Sequence, residues 1–198
     1  MLACFYFIVF TKYSIPIRLV YDSNIKADLL NYVFTLCLFS WHKLSPDTVA
    51  SNRMILVHGK PGTGKSSLCR ALAQKLSIRL SQKFARTKLV EINAHAIFSK
   101  YFSESGKVVG RLFDHLERIL EDEETFVCIM IDEVESITSA RKAALNGNEP
   151  SDSLRAVNAV LTNIDRIKNK TNMIILTTSN LIESMDDAFV DRAGEFYF

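Results

Sequence analysis

Four apolar runs of strand length, MILV (54–57), KLVEI (88–92), FVCIMI (126–131) and NMIIL (172–176), constrain this chain's fold more than any other feature. Helical patterns separate them. Val108, Val109, Leu112, Phe113, Leu116, Ile119 and Leu120 recur at the spacing of one helix face, and Leu154, Val157, Leu161, Ile164 and Ile167 form a second stripe. A strand that is apolar along its whole length offers no face to water, so both faces must be covered, and amphipathic helices between strands supply the cover. The expectation is an α/β domain of three layers, αβα, around a parallel sheet. Upstream, Ile25, Leu29, Val33, Leu36 and Cys37 predict a helix ending near Ser40, and Ser45-Pro46-Asp47 predicts a surface loop. The first eighteen residues show no clear periodicity and receive no assignment.

The chain has 198 residues, 48% hydrophobic and 23% charged, enough for one substantial core. Its 24 basic and 22 acidic side chains leave a net charge of +2, so no global field draws it to nucleic acid or to an anionic membrane. Cys4, Cys37, Cys69 and Cys128 have neither CxxC nor Cys/His spacing, which suits a reducing compartment better than a disulfide framework. The apolar run from Leu2 to Phe10 is about half the length of a bilayer span and lacks the basic start of a signal peptide. No membrane role is expected. The acidic cluster from Glu121 to Glu124 reads as a solvated helix end.

Chemistry enters at Gly59-Lys60-Pro61-Gly62-Thr63-Gly64-Lys65-Ser66, which follows the strand MILVH and opens the helix SSLCRALAQKL. The pattern GxxxxGK[ST] in that context is a phosphate-binding loop. Its glycines let the backbone curl so that N–H groups point at phosphate oxygens, and the helix N-terminus adds positive partial charge. Lys65 is then expected on the β- and γ-phosphates of ATP and Ser66 on Mg²⁺, with Ser67 in the same nucleotide-binding group. The plain alternative is a tight Gly-rich turn. Asp132 and Glu133 end the run FVCIMI, where an open parallel sheet places its ligand crevice. There Asp132 is expected to hold hydrated Mg²⁺ through water, and Glu133 to polarise the water attacking the γ-phosphate. On its own, an acidic pair in this place reads equally well as a helix cap.

Three weaker candidates complete the set. Asn180, in Thr177-Thr178-Ser179-Asn180, is placed to orient the water or sense the γ-phosphate, or else forms an Asx-turn. Arg192 suits a finger donated to a neighbouring subunit's nucleotide, or else a surface pair with Asp187 or Asp191. Tyr101 and Phe102 either pack on the sheet or form a pore loop that grips polypeptide without sequence preference, and the loop from Ser139 to Asp152 has the composition to face the same channel.

With GKPGTGKS, IDEVES, TTSN and KYFSESGK in this order, the chain resembles an AAA+ ATPase. More narrowly, SLCRALAQKLSIRLS, SKYFSESGK, IDEVESITSAR, NEPSDSLRAVNAVLTNID and ILTTSN resemble the pachytene checkpoint protein 2 family, also called the thyroid receptor-interacting protein 13 family. The resemblance covers roughly Leu19 to Ala193 and implies an AAA+ core over 19–198 after an unplaced segment at 1–18. It implies hexameric rings that hydrolyse ATP to pull on HORMA-domain clients, with an adaptor, in meiotic and spindle checkpoints. It also implies a nuclear and chromosomal location, with a cytoplasmic share. Residue by residue, Gly59 to Ser66 match the Walker A loop, Asp132 and Glu133 the Walker B pair, Asn180 the first sensor, Tyr101 and Phe102 the pore loop, and Arg192 the finger. Leu19-Val20-Tyr21-Asp22 resembles the segment beside adenine.

Lys60 departs from this pattern, standing where the family has proline. Set against the family, this sequence is expected to hold no counterpart for the adaptor-binding N-terminal domain or, beyond GEFYF, for the helical lid with its second sensor arginine. Two further readings stay open: a shortened nucleotide-binding, ring-joining module without turnover, and a small-molecule P-loop kinase. Glu133, Asn180 and the aromatic loop argue against the kinase.

Overall fold

The computed structural model describes residues 5–10, 24–42, 52–94, 105–137, 151–181, 185 and 187–197. Its elements run β1 (Phe5–Phe10), α1 (Ile25–Trp41), β2 (Met54–His58), α2 (Lys65–Arg79), β3 (Arg86–Asn93), α3 (Ser105–Leu120), β4 (Thr125–Asp132), α4 (Ser151–Ile167), β5 (Met173–Ser179), α5 (Asp187–Val190) and β6 (Gly194–Tyr197). The six strands form one sheet in the order β1-β3-β4-β5-β2-β6. Four central strands, β3, β4, β5 and β2, are parallel, as the alternation of strands and helices predicts.

The apolar runs divide cleanly between two cores. Along β4, Val127, Ile129 and Ile131 join one cluster with the α3 and α4 stripes, while Phe126, Cys128 and Met130 join the other with α1 and α2. None of these six side chains is more than 2% exposed. Each large side chain so placed contributes about 1.5–3 kcal/mol of burial, so the three-layer packing is the only arrangement that spares both faces from water. Cys37, Cys69 and Cys128 are free thiols inside the α1–α2 core, where burial pushes Cys37 up to about 11 and Cys69 up to about 12. They are protonated core fillers.

Two edge strands extend the expected sheet. Residues 5–10, which the sequence left without a role, pair antiparallel with β3 from Phe5 opposite Ile92 to Phe10 opposite Thr87. The sheet is therefore mixed at that edge. At the opposite edge, β6 pairs parallel with β2, from Ile55 opposite Gly194 to His58 opposite Tyr197. Among the described residues, no helix is long and apolar enough to cross a membrane. Leu19 to Asp22, Ser45 to Asp47, the 139–150 part of the second loop, Tyr101 and Phe102 lie outside the described residues, as does the side chain of Leu154.

Candidate functional site

Parallel strands deliver their carboxyl ends to the same rim of the sheet, and each of β2, β4 and β5 leads there into a polar segment. A cleft of about 340 Å³ opens at this rim. Pro61, Gly62, Gly64, Lys65, Ser66 and Ser67 line it from the loop after β2; Asp132 and Glu133 line it from the end of β4; Thr178 and Asn180 line it from the end of β5. Most of the site expected from sequence meets in one place.

The loop owes its shape to glycine. Gly62 and Gly64 have φ of +79° and +92°, a left-handed conformation that side chains resist, and a Cβ on Gly62 would meet nothing within 4 Å. Gly64 is the residue before α2, and no side chain caps the helix. The first N–H groups of α2 are thereby left for an external acceptor, and they lie beside the cleft. Thr63 turns back, its hydroxyl donating to Lys60 O at 2.9 Å, while the Gly59 N–H donates to Ser179 O at 3.2 Å and fastens the loop to β5. Lys60 leaves this geometry intact.

Lys65 is only 6% exposed, and its ammonium donates to the carbonyls of Gly59 and Lys60, both at 2.9 Å. Burial lowers its pKa, an effect opposed by the negative charge of Glu135 and Asp132. A partly desolvated cation beside an uncapped helix N-terminus is a fitting receptor for an anion rich in phosphate oxygens. Ser66 Oγ donates to Asp132 Oδ1 at 2.9 Å, so the hydroxyl and the carboxylate expected to share a metal ion are already adjacent. Among the described residues no group of three His, Cys, Asp or Glu side chains makes a self-sufficient metal site. A divalent ion at Ser66 and Asp132 would draw its remaining ligands from water and phosphate, the coordination Mg²⁺ favours.

Glu133 follows in the cleft wall with φ +59°, the one non-glycine residue at positive φ among the described residues. Asn180 is held by Glu135: its backbone N–H and its Nδ2 donate to Glu135 Oε1 at 3.2 and 2.8 Å. Glu135 and Thr178, which hydrogen-bonds to Asp132, have no role in the sequence reading although both lie inside the quoted motifs IDEVES and TTSN. The signal that points to Glu135 is its spacing, two residues beyond Glu133 on the turn that leaves the strand.

Arg192 sits apart from the cleft-lining residues. Its guanidinium grips Asp165 with Nε at 3.1 and 3.2 Å from the two carboxylate oxygens and Nη2 at 2.9 Å from Oδ2. The sequence pointed to Asp187 or Asp191 as the surface partner. The structure adds Asp165, near the end of α4, as a partner, while the side chain of Asp187 lies outside the described residues.

A family model described as "ATPase family associated with various cellular activities (AAA)" matches residues 55–198. Pachytene checkpoint protein 2 homologs of Sus scrofa, Homo sapiens and Arabidopsis thaliana are 55%, 54% and 54% identical over 175 residues, which is 88% of this chain and 41%, 40% and 38% of theirs. Among solved structures, C. elegans PCH-2 is 46% identical with a TM-score of 0.78, over 90% of this chain and 44% of that one. A chain of the E. coli MS115-1 HORMA:CdnC:Trip13 complex is 21% identical with a TM-score of 0.76, over 98% and 68%, a likeness of fold. This chain thus spans about 40% of the length of the curated relatives it matches.

Proposed function

This chain belongs to the AAA family of ATPases, and on that footing we propose that it binds ATP with Mg²⁺ at the Gly59–Ser66 loop and hydrolyses it to remodel HORMA-domain proteins. The observation that carries the hydrolase reading is the meeting of Lys65, Ser66, Asp132, Glu133 and Asn180, from three separate chain segments, around one cleft.

In this reading the loop N–H groups and Lys65 bind the phosphates and offset their charge. Bound at Ser66 and, through water, at Asp132, Mg²⁺ would supply charge neutralisation at the β- and γ-oxygens. Glu133 takes up the proton of the attacking water, and Asn180, steadied by Glu135, orients that water or the γ-phosphate. Arg192, presented by Asp165, serves a neighbouring subunit's nucleotide in a hexameric ring.

The client is proposed from the relatives. Identity of 54–55% to pachytene checkpoint protein 2 homologs supports HORMA-domain clients; the proposal extends to an adaptor, to meiotic and spindle-checkpoint work, and to a nuclear or chromosomal place with a cytoplasmic share. A HORMA protein also accompanies Trip13 in the bacterial complex of the same fold. Tyr101 and Phe102 are proposed as the grip on the client. The test uses the full-length protein: phosphate release from ATP, then conversion of a purified HORMA client whose N-terminal segment is intact or deleted. Turnover with conversion that requires the segment supports the reading; turnover without conversion of either client contradicts the HORMA assignment. ADP formed without free phosphate, and only when a small acceptor is present to take the phosphoryl group, would revive the kinase reading.

A further inference from the structure

Thr177 and Thr178 are chemically identical neighbours at the end of β5, yet they do different work. Thr177 Oγ1 donates to Ile55 O at 3.0 Å, a contact inside the sheet with β2. Thr178 Oγ1 donates to Asp132 Oδ1 and accepts the Glu133 N–H at 3.3 Å, and the Thr178 carbonyl accepts the Val134 N–H at 3.0 Å. A hydroxyl has one proton and two lone pairs, so it serves both contacts at once. Three consecutive residues, 132 to 134, are therefore tied to a single residue of the adjacent strand.

That brace begins where the ladder stops. Pairing between β4 and β5 runs to Ile131 opposite Thr177, and Glu133 beyond it holds φ +59°. A glutamate keeps a left-handed conformation only where its surroundings hold it there. Thr178 is 2% exposed and supplies two such contacts, one to the Glu133 N–H and one to the next N–H along. On the other side, Thr178 and Ser66 hydroxyls meet on the same Oδ1 of Asp132, which restrains the rotation of that carboxylate.

We propose that Thr178 is a positioning residue for hydrolysis: its hydroxyl fixes Asp132 and the left-handed Glu133 relative to each other, so that one acid faces the metal and the other the attacking water. The proposal rests on the hydrolase reading of the cleft. It assigns to Thr178 no contact with ATP, so loss of the hydroxyl should leave nucleotide binding in place and weaken the chemical step.

The test compares full-length wild type, Thr178→Val and Thr178→Ser for ATP affinity by calorimetry and for kcat and KM by phosphate release. Valine keeps the shape and removes the hydroxyl; serine keeps the hydroxyl. The expected result is a fall in kcat of about 10-fold or more for valine with ATP affinity within about 3-fold of wild type, and recovery of kcat to within about 3-fold by serine. If the valine variant does not fold, Thr178→Ala, which also lacks the hydroxyl, is read in the same way. Wild-type kcat in the hydroxyl-less variant overturns the proposal, as does equal loss in the valine and serine variants, which would assign the effect to packing. Wild-type protein that binds ATP and releases no phosphate overturns the hydrolase reading and this assignment with it.

Discussion

The two ends of the central strands are built from similar polar residues and treat them in opposite ways. At the amino ends they satisfy one another. Asn172 Nδ2 is shared among the carbonyls of Leu120, Asp122 and Thr125 at 3.0–3.2 Å, and Asp122 accepts from Arg86 at 2.8 Å and from Thr125 at 2.7 Å. Buried Arg53 donates to Thr171 O and Met173 O, both at 3.3 Å, and to Ser40 Oγ, locking the end of α1 to the strand β5. At the carboxyl ends the polar groups converge on an open cleft, with a desolvated Lys65 cation, an uncapped helix and a left-handed Glu133 around it. A closed polar network holds a fold together, whereas an open one holds charge and strain ready for a ligand.

This contrast predicts which substitutions damage binding and which damage folding. Lys65→Ala should have the largest effect, lowering ATP affinity by about 10³-fold, or about 4 kcal/mol, the size seen when one partner of a buried charge pair is removed. Melting temperature should stay within a few degrees of wild type. Unchanged affinity in titration calorimetry would show that the loop is not the nucleotide site. At the other end, Asn172→Ala removes a donor shared by three carbonyls, of which Asp122 O keeps the Thr125 N–H, and should cost about 2 kcal/mol of stability in urea unfolding. ATP affinity per folded molecule should not change; a parallel loss of affinity would erase the distinction between the ends.

Smaller effects sharpen the same division. Asn180→Ala should lower kcat by about 10-fold with little change in ATP affinity, because only the orienting amide is lost. An equal loss in binding would make it a structural residue. Asp165→Asn should cost about 1 kcal/mol or less at neutral pH, since the pair with Arg192 is partly exposed. The hydrogen bond from Arg192, foremost, and then that from Lys168 hold the Asp165 carboxyl below its ordinary value. The unfolded chain therefore binds more protons in this window, so the stabilisation is present above about pH 4 and is lost as pH falls through the lower folded value. Urea midpoints of the two proteins should converge in acid; a constant gap would assign the effect to something other than this charge.

Much of this architecture is legible in the sequence because burial on both faces leaves a plain mark. The runs at β2, β4 and β5 are almost wholly apolar, that at β3 is interrupted only by Lys88 and Glu91, and the stripes of α3 and α4 have the period of one buried face. Helix α2 shows no such stripe, since Leu68, Cys69, Leu72, Ala73, Gln74, Leu76 and Ser77 bury nearly its whole girth, and only the preceding loop announces it. The edge strands escape notice for a different reason. FYFIVF does not alternate, and GEFY is four residues with a glycine, so both depend on pairing with distant strands.

The same limit applies within the site. Spacing reveals Lys65, Ser66, Asp132 and Glu133, since the chemistry demands them in fixed order on a strand, loop and helix. Thr178 cannot be told from Thr177 until the sheet shows which hydroxyl reaches Asp132. Asp165, twenty-seven residues before Arg192, likewise cannot be picked out as its partner until the fold brings the two together.

The most direct test is Glu133→Gln in the full-length protein with ATP and Mg²⁺, measured for both nucleotide binding and phosphate release. Removing the base while keeping the shape should leave ATP affinity near wild type and slow phosphate release by about 100-fold or more. Phosphate release at the wild-type rate would contradict the assignment of Glu133 and, with it, the reading of the carboxyl end of the sheet as a hydrolytic site.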